Sequence, residues 1–201
     1  MARLSGRLKF ALWGLLGLNA LLLVWVVVVA PQMEARAAAD IGKGDYELVQ
    51  TDGSAFTETV LVGAPSAVFF GFTHCPDVCP TTLGDISAWQ EDLGGAEALQ
   101  VFFVTVDPAR DTAEILGDYV GWVRGVAGVT GSEEEMSKAL ASFKVFAQKV
   151  PMEGDDYTMD HAASVYLFDK SGRFVETIRY QEDHDVAVGQ LRKLLGQEGR
   201  S

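Results

Sequence analysis

Cys75 and Cys79, the only cysteines in a chain of 201 residues, stand four positions apart in Phe-Thr-His-Cys-Pro-Asp-Val-Cys-Pro-Thr-Thr-Leu (72–83). If the backbone turns or opens a helix there, that spacing brings the two sulfurs within reach of each other, as a disulfide, or of one metal ion. Pro80 disfavours helical backbone at Cys79 but is tolerated in a first helical turn, which predicts a helix starting near Pro80 or Thr81. Both thiols then lie at the positive end of aligned peptide dipoles, where the thiolate, the form that binds metal or attacks a disulfide, is stabilised. A purely structural disulfide is the weaker reading. Closing so short a loop is worth about 2 kcal/mol in the chain-entropy model, against nearly 5 for a loop of about a hundred residues.

A third donor is His161, in Tyr-Thr-Met-Asp-His-Ala (157–162), just ahead of an apolar run. The loop carrying it is expected to fold back over the dithiol. Two thiolates and one imidazole suit copper in either oxidation state and are too few for a closed structural zinc site. Histidines outside such a cluster are usually surface or hydrogen-bonded residues. Asp77, between the cysteines, is a candidate for hydrogen bonding around the thiolates, or a simple turn residue. His74 is an alternative ligand or merely a neighbour. Asp107 and Arg110 read as a charge-paired turn, and Asp111 with Glu114 as a helix cap. Glu153, Asp155 and Asp156 form an acidic, solvated loop flanked by Met152 and Met159, which are read as packing residues. His184, among acidic neighbours, reads as an exposed helix start.

The elements that must position these groups alternate. Apolar strands are expected at Ala67–Phe72, Val101–Val106 and Ser164–Phe168, with helices at about Thr81–Leu93, Thr112–Val123, Glu133–Gln148 and Asp185–Leu195. Such alternation predicts a largely parallel sheet covered on both faces. Tyr46–Thr59, alternating around Asp52-Gly53, reads as a hairpin. Residues 169–172 are expected to turn between an antiparallel pair, Val165–Phe168 and Phe174–Ile178. The order fits an α/β, thioredoxin-like domain over 45–201, with the dithiol at the first strand-to-helix junction.

Arg3, Arg7 and Lys9 precede an uncharged run from Phe10 to Ala30, one bilayer's worth of helix. Residues 1–9 are therefore expected in the cytoplasm, 10–30 as a transmembrane anchor, 31–44 as a tether, and the domain outside. A cleavable signal peptide is the competing reading, because Ala35-Arg36-Ala37 and Ala37-Ala38-Ala39 resemble cleavage sites, but the apolar run exceeds a signal core of roughly 7–15 residues. A bacterial inner membrane facing the periplasm is favoured over a mitochondrial inner membrane. Of 16 basic and 28 acidic residues, four and two lie before residue 41, so the remainder holds 12 and 26, a net charge of −14. So acidic a domain is a poor nucleic-acid binder.

Phe-Gly-Phe-Thr-His-Cys-Pro-Asp-Val-Cys-Pro-Thr-Thr-Leu (70–83), Val-Asp-Pro-Ala-Arg-Asp-Thr (106–112) and Tyr-Thr-Met-Asp-His (157–161), with Gly-Val-Thr-Gly (128–131) and 166–174, resemble the Sco/SenC family of membrane-anchored copper proteins. The resemblance implies a copper site, Cu(I) or Cu(II), made of Cys75, Cys79 and His161 on a thioredoxin-like domain. It also implies a role in cytochrome c oxidase assembly. In that role the protein delivers copper to the binuclear centre of the oxidase's copper-binding subunit, or reduces that subunit's cysteines, with an extracytoplasmic thiol reductant and a copper donor upstream. Ala162, where serine often follows the histidine, and Lys170, where proline is frequent, depart from the pattern without touching a ligand. A copper chaperone without catalytic turnover and a thiol:disulfide oxidoreductase are the two leading readings. The oxidoreductase is weakened by a Cys-x3-Cys spacing wider than the Cys-x2-Cys of dedicated reductases. A peroxidase-like reading has only the fold behind it.

Overall fold

The computed structural model describes residues 6–154 and 156–197, in two compact units, residues 1–39 and 40–201. Arg3 and Asp155 lie outside the described residues. The first unit is a helical rod: α1 (Gly6–Val24), a π-helical stretch at Trp25–Val29, and α2 (Ala30–Ala39). Trp13–Ala39 is long and apolar enough to cross a membrane, and Asn19, the amide of its uncharged run up to Ala30, donates within the helix to Leu15 O at 3.0 Å, which in lipid would spare the cost of an unsatisfied polar group. Of the stretch expected as a tether, residues 31–39 are helical. Gly42 then donates its N–H to Ser142 O, and Tyr46 is buried in the domain core.

The second unit contains a seven-stranded mixed sheet in the order β2-β1-β5-β4-β3-β8-β9. Its strands are β1 (Leu48–Gln50), β2 (Ala55–Phe56), β3 (Ser66–Gly71), β4 (Gln100–Thr105), β5 (Val126–Thr130), β8 (Val165–Phe168) and β9 (Phe174–Ile178). Strands β3, β4 and β5 run parallel, in register at Phe69↔Phe103 and Phe103↔Gly128, and β8 closes antiparallel on β3. Every residue of β3 is buried, as a strand packed on both faces requires. On one face Phe69 meets Phe103, which meets Tyr119; on the other Phe70 and Tyr166 pack against Phe143. The covering helices are α3 (Val78–Asp92), α4 (Ala113–Val120), α5 (Glu133–Phe143) and α6 (His184–Leu194). The expected hairpin is β1–β2, with Leu48 opposite Phe56.

Further expectations shift. The helix expected to run to Gln148 stops at Phe143, because Lys144 takes a left-handed conformation (φ 55°) and caps it. The chain then forms β6 (Ala147–Pro151), which pairs antiparallel with β7 (Tyr157–His161) in a separate two-stranded ribbon. His161 therefore ends a strand and does not sit in a loop. Asp111 is not a helix cap: Thr112 is the N-cap of α4, its hydroxyl accepting from the Ile115 N–H, and Asp111 is fully buried.

Candidate metal centre

At the end of β3 the chain turns, the Cys75 N–H returning to Phe72 O at 3.2 Å, and α3 begins at Val78, two residues earlier than expected. Asp77 is its N-cap, yet the Asp77 side chain makes no cap bond. A helix start leaves N–H groups without intrahelical partners, and here sulfur satisfies one of them: the Cys79 N–H donates to Cys75 Sγ at 3.3 Å. Pro80, third in the helix, has no N–H to satisfy. Cys75 is half-buried and Cys79 buried, and neither is in a disulfide. The Cys79 sulfur lies against Gly71, where a Cβ would stand 2.8 Å from it. Glycine at the strand end is what leaves room for the thiol.

His161, opposite Ala147 on the ribbon, brings its imidazole over the same spot. Nδ1 is 3.0 Å from Ala162 O; a carbonyl only accepts, so Nδ1 carries a proton and Nε2 is the nitrogen turned to the sulfurs. Nε2 lies 4.0 Å from Cys79 Sγ, and the ring stands edge-on to Phe72 at 5.7 Å between centroids. The Nδ1 contact comes from the backbone of residue 162 and needs no side chain there. One donor atom from each of Cys75, Cys79 and His161 lies within 4.8 Å of the other two.

The acid–base state of the trio follows from these contacts. The hydrogen bond from Cys79 leads in drawing the Cys75 thiol down to about 4, helped by His161 and the N–H groups of Cys79 and Asp77, against the opposing effect of burial. Cys79, the donor in that bond and buried as well, is pushed far above the ordinary thiol range. At neutral pH the pair holds one proton, with the charge on the more exposed sulfur. Burial presses the His161 pKa downward, but its bonds to Cys75 and the Ala162 carbonyl and the negative charges of Cys75 and Asp160 together raise it.

Behind the cysteine loop sits Asp111. Its carboxylate accepts from the Thr73 N–H (3.0 Å), the Thr73 hydroxyl (2.6 Å) and the Thr105 hydroxyl (2.6 Å), and its carbonyl accepts from Thr130. The charge-paired turn of Asp107 and Arg110 is present, and Tyr157 donates its hydroxyl to Asp107 Oδ1 at 2.8 Å. Thr73, Thr105 and Tyr157 were not singled out in the sequence; the available signal was that two acids and an arginine follow the carboxyl end of a buried parallel strand, where sites in open α/β sheets lie.

The other candidates stand apart. His74 is exposed, with Nδ1 3.1 Å from the Thr73 hydroxyl, and His184 bonds Asp92 Oδ2 at 2.6 Å. The Asp77 carboxylate accepts from Thr81 at 3.5 Å, while it is the Asp77 backbone N–H that acts on Cys75. Met159 is buried in the core and Met152 exposed; Asp156 pairs with Arg110.

Known proteins share this arrangement of elements. The solved structure of Bradyrhizobium japonicum ScoI with copper bound is 38% identical, with a TM-score of 0.70, covering 77% of this chain and 99% of that one. Arabidopsis thaliana ScoI with copper bound is 32% identical, with a TM-score of 0.71, covering 78% of this chain and 99% of that one. Yeast (Saccharomyces cerevisiae) mitochondrial SCO1 is 34% identical over 169 residues, 80% of this chain but 57% of the yeast protein's length. An SCO2-like protein of Rickettsia prowazekii is 38% identical over 160 residues, 77% of this chain and 76% of that one. The SCO1/SenC family model matches residues 34–196, a span that takes in the dithiol loop, the Asp107–Asp111 turn and the ribbon ending in His161. The chain belongs to the SCO1/SenC family.

Proposed function

We propose that the chain is a membrane-anchored copper chaperone that holds one copper ion on Cys75, Cys79 and His161. The observation that carries this reading is the convergence of three soft or borderline donors within 4.8 Å at a helix N-terminus, one of them already a thiolate at neutral pH. Three donors fall short of a closed zinc site, and paired thiolates with an imidazole favour copper. The copper-bound relatives support the same metal. Loading displaces the Cys79 proton, so that both sulfurs coordinate as thiolates. The N-terminal helix anchors the domain in a bacterial inner membrane, facing the periplasm, with the sequence's early cations on the cytoplasmic side. The recipient is the copper-binding subunit of cytochrome c oxidase, at its binuclear centre. A thiol reductant and a copper donor act upstream, because the periplasm favours disulfides.

The test is Cu(I) titration of the reduced full-length protein in detergent, without oxygen and against a competing chelator, followed by the Cu(II) absorption spectrum. One copper per chain, a sulfur-to-Cu(II) charge-transfer band and a marked loss of affinity in His161→Ala are expected. A second reading, thiol:disulfide exchange with the same oxidase subunit, is favoured by one feature: the dithiol is split into a half-buried thiolate fit to attack and a buried thiol fit to resolve. Absence of specific copper binding, together with fast reduction of a partner disulfide that leaves Cys75 and Cys79 joined as a disulfide, decides for that second reading.

A further inference from the structure

The two halves of the donor set come from separate parts of the domain. Cys75 and Cys79 belong to the junction of β3 and α3 in the main sheet, and His161 belongs to the β6–β7 ribbon, which shares no ladder with that sheet. Residues 106–112, between β4 and α4, touch both. Asp111 holds Thr73, two residues ahead of Cys75, through its N–H and its hydroxyl. Its neighbour Arg110 reaches the other way, donating from Nη1 to Tyr157 O (3.0 Å) and Asp156 Oδ1 (3.2 Å) and lying 3.8 Å over the Tyr157 ring. Asp107 holds that guanidinium at Nε and accepts the Tyr157 hydroxyl. Thr105 joins the two grips, accepting from the Asp107 N–H and donating to Asp111 Oδ2. A continuous polar path thus runs from Thr73 to Tyr157, and β7 carries it from Tyr157 to His161 as a short extended rod of about 13 Å.

We propose that the β4–α4 turn is a bracket that fixes the gap between dithiol and imidazole, with Arg110 and Asp111 as positioning residues that touch no ligand atom. This rests on the copper reading of Cys75, Cys79 and His161. Arg110 is suited to the task because its planar fork bonds several acceptors at once while stacking on an aromatic face, which a lysine cannot reproduce. Asp111 is suited because a buried carboxylate with three donors has one orientation in which all are satisfied.

The test uses the full-length protein in detergent, with Cu(I) affinity measured by chelator competition and nitrogen hyperfine coupling read from the electron paramagnetic resonance spectrum of the Cu(II) form. Arg110→Ala is expected to weaken copper binding about 10–100-fold, the range for groups that orient metal ligands, and to diminish the nitrogen coupling. Tyr157→Phe, which keeps the ring and loses the bond to Asp107, is expected to cost less, about threefold. Because Arg110 acts through His161, adding Arg110→Ala to His161→Ala is expected to change affinity by less than about twofold. Unchanged affinity and coupling in Arg110→Ala, or an equal loss in both backgrounds, overturns the bracket. Should Arg110→Ala fail to fold, Tyr157→Phe decides by the same two readouts. An unsubstituted protein that binds no copper overturns the copper reading and this inference with it; copper binding untouched by the variants overturns the inference alone.

Discussion

Replacing Gly71 with alanine adds one carbon at the tightest point of the site. The backbone there is not left-handed, so the consequence is steric: the new Cβ meets Cys79 Sγ and two carbons of the Phe103 ring, each at 2.8 Å, where ordinary contacts begin at 3.4 Å. Phe103 has no room to yield, being fully buried between Phe69 and Tyr119, with ring centroids at 5.5 and 5.6 Å. The sulfur, at the end of a one-carbon side chain, must retreat toward the other donors or β3 must bow. Overfilling a packed core costs about 1–3 kcal/mol, and the stiffer unfolded chain of an alanine variant offsets about 0.4–1, leaving a loss centred on about 1.3 kcal/mol and reaching about 2.6. Urea denaturation of the reduced, metal-free protein in detergent, followed by near-ultraviolet circular dichroism, reads this as a lowered midpoint at constant slope. The sulfur-to-Cu(II) band of the loaded form is expected to move as well. Gly84→Ala, on helix α3 and facing open space, is the control, expected to gain up to about 1 kcal/mol from helix propensity. If Gly71→Ala is as stable as the unsubstituted chain and its copper spectrum does not move, Cys79 is not packed against the strand end as described.

Other outcomes follow from the divided dithiol. With the Cys75 pKa drawn down to about 4, alkylation of the reduced protein by iodoacetamide is expected at Cys75 first, at a rate nearly flat from pH 5.5 to 8 on the scale of roughly one unit above its pKa; peptide mass mapping checks this, and a rate still climbing tenfold per pH unit at pH 7 contradicts it. Copper loading at pH 7 is expected to release one proton from Cys79, whose pKa is raised, plus the fraction that His161 holds because its own is raised. Both groups compete with the metal through a proton, so affinity climbs with pH in this range; calorimetry in buffers of different ionisation enthalpy counts the protons. Mild oxidation is expected to join Cys75 to Cys79 and abolish Cu(I) binding, with both restored by a dithiol reductant. Retention of tight Cu(I) binding in the oxidised protein refutes a site built on two thiolates.

What could be read in advance tracked how strongly the local pattern determines structure. Strand β3 is apolar throughout and buried throughout, and its end fixes the cysteine pair. Strand β5 escaped because Val-Ala-Gly-Val-Thr is short and glycine-broken, and takes its place by pairing with β4 and β1. The ribbon escaped for a related reason: β6 is largely exposed, so no alternation marks it, and only its ladder to β7 makes Ala-Gln-Lys-Val-Pro a strand. Asp111 was misread because acid-then-acid three residues on is a helix-start signature, while its true partners, Thr73 and Thr105, lie 38 and 6 positions away. Long-range polar contacts of this kind leave no period in the sequence.

The burial gradient across the three donors gives metal exchange a direction. Cys79 is enclosed between Gly71 and α3 with no exposed surface, while Cys75 and His161, the latter edge-on to Phe72, are both half-buried. For an ion held by all three, as proposed above, an incoming donor from another protein meets Cys75 or His161 first, and Cys79 is the last contact to break. Such a set empties from the rim inward. On the copper reading proposed above, a recipient competes at the two half-buried donors while Cys79 keeps its hold, so release needs no loosening of the fold.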